Sequence, residues 1–138
     1  MTVNLIRMLS DFGLVVLIWM VQLIIYPSFA RYTHENLLSW HRIYTKRLAS
    51  IVIPLMFTQA FVVAYQLYKT QEFFTYCSAV LVVLVWLSTF TQFVPLHNNI
   101  SKGEKVADSV EKLIQRNWIR TALWTLLFML SLWNNILK

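Results

Sequence analysis

The residues of this chain able to do chemistry gather in two short stretches. One is Pro95-Leu96-His97-Asn98-Asn99, followed after a charged segment by Arg116-Asn117-Trp118-Ile119-Arg120-Thr121-Ala122-Leu123-Trp124. The other holds His34, Glu35, His41 and Arg47. Neutral imidazole is a base near neutral pH, so His41 and His97 are candidate catalytic residues. Arg120 joins them, because a guanidinium can stabilise an oxyanion. Gln92, Asn98 and Asn117 offer hydrogen bonds to a substrate, Trp118 and Trp124 can stack on a ring, and Arg47 can clamp an anion. His41 and His97 are also candidate metal ligands, or axial ligands of a haem, with His34 two helical turns from His41 on the same side. No His-x-x-x-His spacing is present, and a site without any cofactor is an equal expectation. Each feature has a plainer counterpart. His and Trp are common at headgroup level, and Arg47 and Arg116 can simply snorkel and orient the protein. Arg120 resists that reading, since an apolar run follows it at once and a topology signal needs no such position.

Elements must position these groups. Apolar runs cover Phe12–Ala30, Leu48–Tyr68, Phe73–Val94 and Ile119–Leu137. Each is near the ~20 residues that a helix needs to cross about 30 Å of hydrocarbon. The chain is 58% hydrophobic and 13% charged, against roughly 25% charged in soluble domains. Two glycines and three prolines argue against a turn-rich β fold, and uninterrupted apolar runs do not alternate as a membrane barrel requires. The expected fold is all-α: one domain over residues 1–138, an integral membrane four-helix transmembrane bundle with two short amphipathic cytoplasmic helices. The first of these places Leu37, Leu38, His41 and Thr45 on one side and can run unbroken into the second span, where Pro54 would kink it. The second carries Val106, Val110, Leu113 and Ile114 at helical spacing, with Ser101 and Glu104 in capping-box order ahead of it.

Charge sets the orientation. Lys and Arg number nine in the two long connectors; Arg7, Lys69 and Lys138 lie on the other side. The positive-inside rule then puts both connectors in the cytoplasm and both termini outside. The net charge of +6 tracks the spans rather than a soluble face, so the lipid bilayer is the expected partner and nucleic acid is not. Arg7, Leu14–Ile25 and Ser28-Phe29-Ala30 imitate a signal peptide, but Arg31, Trp19 and Gln22 favour an uncleaved first span. Cys77, alone in an apolar run, reads as a packing residue. Polar groups inside the spans, namely Asp11, Gln22, Ser50, Thr58, Gln59, Ser88, Thr91, Gln92 and the stripe Asn117, Arg120, Thr121, Trp124, Thr125, should face one another across the bundle. The two halves share a plan, with Gln22 ahead of Pro27 as Gln92 is ahead of Pro95; any four-span protein with short outer turns would share much of it.

At Tyr26-Pro27, Trp40-His41-Arg42, Pro95-Leu96-His97-Asn98 and Asn117-Trp118-Ile119-Arg120-Thr121 the chain resembles the anthrone-oxygenase-like group of small four-span membrane proteins, largely uncharacterised in bacteria. The likeness runs over nearly the whole length on short motifs, and His97 separates Leu96 from Asn98 where the group has a proline-asparagine turn. The resemblance implies a four-helix bundle in a bacterial inner membrane, with a site at His41, His97, Asn98, Asn117, Trp118 and Arg120. It also implies oxidation of polyphenolic rings, as fungal members oxidise anthrones. The leading expectation is therefore an oxidoreductase- or oxygenase-like protein acting on a lipophilic, phenolic or quinonoid small molecule. Two alternatives stand beside it. One is a non-catalytic accessory or binding subunit, forming a homo-oligomer or joining a larger membrane partner through the small pair Ala60 and Ala64. The other is a haem-binding electron-transfer bundle.

Overall fold

The structure, a computed structural model, describes residues 2–136, and helix takes up nearly all of them. The chain runs through α1 (Thr2–Phe29), α2 (His34–Lys69), α3 (Phe73–Lys102) and α4 (Val106–Ile136). Among the described residues no strand occurs. The end of the expected last span, Leu137, and the Lys138 counted on the outer side lie outside the described residues. Helices α1, α2 and α3 are long and apolar enough to cross a membrane; α4 is not among them, its apolar content diluted by Asn117, Arg120, Asn134 and Asn135.

Two boundaries differ from the sequence expectation. Helix α1 begins at Thr2 rather than Phe12. Arg7 and Asp11 are one helical turn apart and form a buried ion pair at 3.0 Å, so the charges that ended the apolar run are satisfied inside the helix. Arg7 is therefore an internal residue and not a flanking topology signal. The two amphipathic helices are also not separate elements. Helix α2 runs unbroken from His34 past Pro54, and α4 runs unbroken from Val106. Nothing between Arg116 and Ile119 breaks a helix, and the buried line Ser109, Val110, Leu113, Asn117, Arg120, Trp124 keeps one face inward throughout. Ser101 caps nothing there: it lies in the last turn of α3, which Gly103 ends with φ 74°, a left-handed conformation that glycine adopts freely. Thr33 opens α2, its hydroxyl accepting from the Asn36 N–H at 3.4 Å.

Helices α1 and α3 each contain one wide π-turn, Val21–Ile25 and Thr89–Phe93. The N–H of Tyr26 reaches the Val21 carbonyl and that of Val94 reaches the Thr89 carbonyl, five residues back. A proline comes directly after in both, Pro27 and Pro95. Proline has no N–H for the carbonyl four residues earlier and its ring crowds that carbonyl; widening the preceding turn relieves both problems. The extra residue in the turn rotates the rest of each helix, which carries Tyr26 and Phe29 on α1, and Phe93 and Leu96 on α3, into the interior.

The helices close into a four-sided bundle in which α1 packs on α2 and α4, and α3 packs on the same two. The connectors are so short that neighbours in sequence run antiparallel. Leu14, Ile18, Val85, Leu113 and Leu127 fill the centre. The outside is the more apolar surface: Leu9, Phe12, Ile24, Phe61, Leu87 and Phe90 are exposed, while Arg7, Asp11, His41, Gln59 and Asn117 are fully buried. That inversion suits hydrocarbon as the surrounding solvent.

Candidate functional site

Two buried polar networks arise from this arrangement, one at each end of the bundle. The first starts on α4. Arg120 donates from Nε and Nη2 to Asn117 Oδ1 at 3.0 and 2.7 Å, which holds the guanidinium flat along its own helix. Its Nη2 also donates to the Tyr26 hydroxyl at 3.1 Å, and its central carbon sits 3.4 Å from the centre of the Phe93 ring. Tyr26 Oη is 3.0 Å from His97 Nε2. His97 Nδ1 is 2.8 Å from His41 Nε2, and His41 Nδ1 is 3.2 Å from Ser101 Oγ. The chain Asn117, Arg120, Tyr26, His97, His41, Ser101 thus draws on α4, α1, α3 and α2.

Beside it lies an apolar cavity of about 390 Å³. Tyr26, Arg120 and His97 reach its wall, with Trp124, Met56 and Phe93 among the other lining residues. Ile53, Phe57, Phe90 and Val94 also line it while being exposed on the outside of the bundle. The cavity therefore opens sideways between α2 and α3, through an apolar flank. Tyr44 lines it too, 6% exposed, and its buried hydroxyl has no hydrogen-bond partner. An unpaired buried hydroxyl costs about 1–3 kcal/mol.

The second network crosses the other half. Arg7 donates to Asp11 at 3.0 Å, to Gln66 at 2.7 Å and to Ser78 at 2.9 Å. Gln59 donates to Asp11 at 2.6 Å and accepts from the Trp124 indole at 3.2 Å. Trp124 is therefore the link between the ion pair and the cavity.

The structure gathers His41, His97, Arg120 and Asn117 into one network, and it places Trp124 and Asn98 on the cavity wall. It separates the others. Trp118 is 48% exposed on the outer face, edge-on to Trp19 at 5.8 Å, and does not line the cavity; it is one residue past Asn117, about 100° round the helix. Arg47 is exposed and away from the cavity, off the face that carries His41 and Tyr44. Gln92 is half-buried inside the π-turn, does not line the cavity, and its buried amide oxygen has no partner. His34 is exposed at the start of α2 and does not join the other histidines. Ala60 packs partly on the core while Ala64 is exposed, so the small pair is divided between inside and outside. Tyr26, Tyr44, Phe93 and Ser101 take part without having been marked as site residues by the sequence pattern. Tyr26 stands in the Tyr26-Pro27 motif, which assigns it no role.

A haem does not fit the two histidines, and among the described residues no third His, Cys, Asp or Glu joins them to complete a metal site. Imidazoles sharing one metal each place a nitrogen about 2.0–2.1 Å from it, so two axial ligands would hold their nitrogens roughly 4 Å apart. Here the facing nitrogens are 2.8 Å apart and hydrogen-bonded to each other, with the rings stacked at 28° and their centres 5.1 Å apart. The outer nitrogens are taken by Ser101 and Tyr26. No group of three His, Cys, Asp or Glu residues gathers elsewhere among the described residues. No protein-family model, curated protein or solved structure matches the chain.

Proposed function

We propose that this is a four-span integral membrane protein that takes a lipophilic phenolic or quinonoid molecule from the bilayer and acts on its oxygen, in an oxidoreductase-like role. The observation that carries the reading is the cavity: apolar, open through the lipid-facing flank, and ending at one guanidinium and one phenol. A molecule matched to it is mostly ring or hydrocarbon with oxygen at its edge. Arg120 and Tyr26 would hold one oxygen, and the unpaired Tyr44 hydroxyl is a further donor for the same molecule. A guanidinium favours the anionic form of that oxygen, and Tyr26 with His97 can exchange the proton. In an oxidase-type reaction a hydroquinone would lose two protons and two electrons, dioxygen taking both to give hydrogen peroxide. In this reading α4 is the fourth span, the histidine end faces the cytoplasm of a bacterial cell with its basic connectors, and both termini lie outside. With Arg7 buried, the outer side carries fewer basic residues, which strengthens that orientation.

The test uses purified protein in detergent. A lipophilic benzoquinone, its hydroquinone and an alkylbenzene of equal size are titrated while tryptophan fluorescence is recorded, since Trp124 and Trp86 line the cavity; dioxygen uptake with the hydroquinone is recorded in parallel. The quinonoid pair should bind and the alkylbenzene bind at least about tenfold more weakly. Equal binding of the hydrocarbon removes the claim that the polar end selects the ligand. Binding without dioxygen uptake above that of Arg120→Met leaves the non-catalytic binding subunit as the correct reading.

A further inference from the structure

The connection of His97 to His41 and Ser101 is not needed to hold a ligand. Arg120 and Tyr26 suffice for that, and from His97 on the cavity wall the line leads away through His41 to Ser101. Ser101 is half-exposed in the last turn of α3, beside exposed Lys102. We propose that Tyr26, His97, His41 and Ser101 form a proton wire between the cavity and the connector end of the bundle, carrying the proton given up by the bound molecule. The inference rests on the proposed occupant of the cavity only for the source of that proton.

Each contact has the chemistry a relay requires. A hydroxyl and a neutral imidazole both donate and accept, and the spacings of 3.0, 2.8 and 3.2 Å are hydrogen-bond distances throughout. Aromatic rings wall the relay. Phe29 stands edge-on to His41 at 6.0 Å and to Tyr44 at 5.2 Å, and Phe29 is 1% exposed. Water therefore has poor access to the His41 imidazole, which is fully buried, and the side chains provide the continuous route past it.

The hydrogen-bond pattern fixes how it works. One proton lies between His41 Nε2 and His97 Nδ1, so the two neutral rings must hold the same tautomer. With both protonated on Nδ1, Tyr26 donates to His97, His97 to His41, and His41 to Ser101. The ligand passes its proton to Tyr26 as Tyr26 passes its own to His97 Nε2. His97 then gives its Nδ1 proton to His41 Nε2, His41 gives its Nδ1 proton to Ser101, and Ser101 releases one to water. One proton leaves the ligand and one appears at the surface. Both rings finish protonated on Nε2, so the wire is set to return a proton to the cavity. Oxidation of a hydroquinone by dioxygen asks for both directions, removing two protons from the substrate and delivering two to the reduced dioxygen as hydrogen peroxide forms.

The experiment uses a lipophilic nitrophenol, whose phenolate absorbs visible light. The probe is bound to detergent-solubilised protein, the pH is jumped, and the approach to the new phenol–phenolate ratio is timed. Nitrogen-15 spectra of the histidines in ligand-free protein report their tautomers. His41→Phe keeps the ring beside His97 and leaves Tyr26 and Arg120 in place. It should bind the probe as the parent protein does, yet equilibrate about a hundredfold more slowly; His41→Ala, which leaves room for a free imidazole, should be equally slow until added imidazole restores the rate. The spectra should show His41 and His97 in one shared tautomer. Equal rates in His41→Phe and the parent overturn the wire. If the parent does not bind the probe, the proposed occupant is wrong and the spectra decide the wire: a shared tautomer that exchanges between the Nδ1- and Nε2-protonated forms upholds it, and opposite tautomers, or one shared tautomer that never exchanges, overturn it.

Discussion

Tyr44→Phe should raise stability and lower affinity at once. The Tyr44 side chain is buried against Phe29 and its hydroxyl oxygen has no partner. Phenylalanine keeps the ring and the edge-on contact at 5.2 Å and removes only the orphan. A buried unsatisfied group costs about 1–3 kcal/mol, so ligand-free Tyr44→Phe should be more stable by an amount of that order. Binding should move the other way. A neutral hydrogen bond is worth about 0.5–1.5 kcal/mol net, which is roughly a two- to thirteenfold loss of affinity for a quinone. Reversible unfolding in mixed micelles measures the first, and fluorescence titration measures the second. A tyrosine kept only for packing would lose nothing in binding. Unchanged affinity would therefore refute a ligand role, and lowered stability would show that the hydroxyl has a partner and is no orphan.

The same contacts set further outcomes. Arg120→Met should weaken quinone binding by about 10- to 100-fold, the worth of a charged hydrogen bond, and Arg120→Lys should not rescue it, because an ammonium cannot reproduce the fork held by Asn117 and Tyr26; equal binding by the lysine variant would show that charge alone suffices. Breaking the buried pair with Arg7→Met should destabilise by about 3–5 kcal/mol, and adding Asp11→Leu should recover most of it; a double variant no better than the single one would mean that Gln59, Gln66 and Ser78 carry the cost instead. Trp118→Ala should change quinone affinity by less than about 0.5 kcal/mol, and a larger loss in titration would place Trp118 at the cavity after all. Gly103→Ala should cost about 1 kcal/mol in unfolding experiments, since alanine must then adopt φ 74°.

Periodicity made the inward face of α4 legible: Asn117, Arg120, Thr121 and Trp124 recur at steps of three and four, and all are buried. The same periodicity argued against Trp118, which a motif-led reading retained. His41 and His97 were placed at one end of the bundle by the lengths of the apolar runs, and the 2.8 Å contact between them is the tertiary consequence. Tyr26 was not legible in this way, because a π-turn shifts the helical phase just before Pro27 and a count in steps of 3.6 fails across it. Gln92 failed for the matching reason inside the second π-turn. Arg7 misled because a charge near an apolar run reads as its boundary. Only its contacts with Asp11, Gln66 and Ser78 from three helices draw it inside.

Trp124 decides what the two polar networks can be together. They nearly join, since its indole donates to Gln59, Gln59 donates to Asp11, and Asp11 pairs with Arg7, while its ring lies 5.8 Å from the Arg120 guanidinium. A polar line thus extends along most of the bundle, from Arg7 to Ser101. The chemistry of its members divides it. Hydroxyl and imidazole groups both give and take protons, so the segment from Tyr26 to Ser101 can relay one. An indole N–H only donates and a guanidinium has no acceptor. The Gln59 amide is pinned with its oxygen on Trp124 and its nitrogen on Asp11, so it passes nothing along. A proton entering at Ser101 therefore reaches the cavity and goes no further through side chains. In the proposed membrane setting this arrangement would let the protein exchange protons with a buried ligand from one face, while at the other end the bonds of Arg7 to Gln66 and Ser78 and of Asp11 to Gln59 tie α1 to α2 and α3.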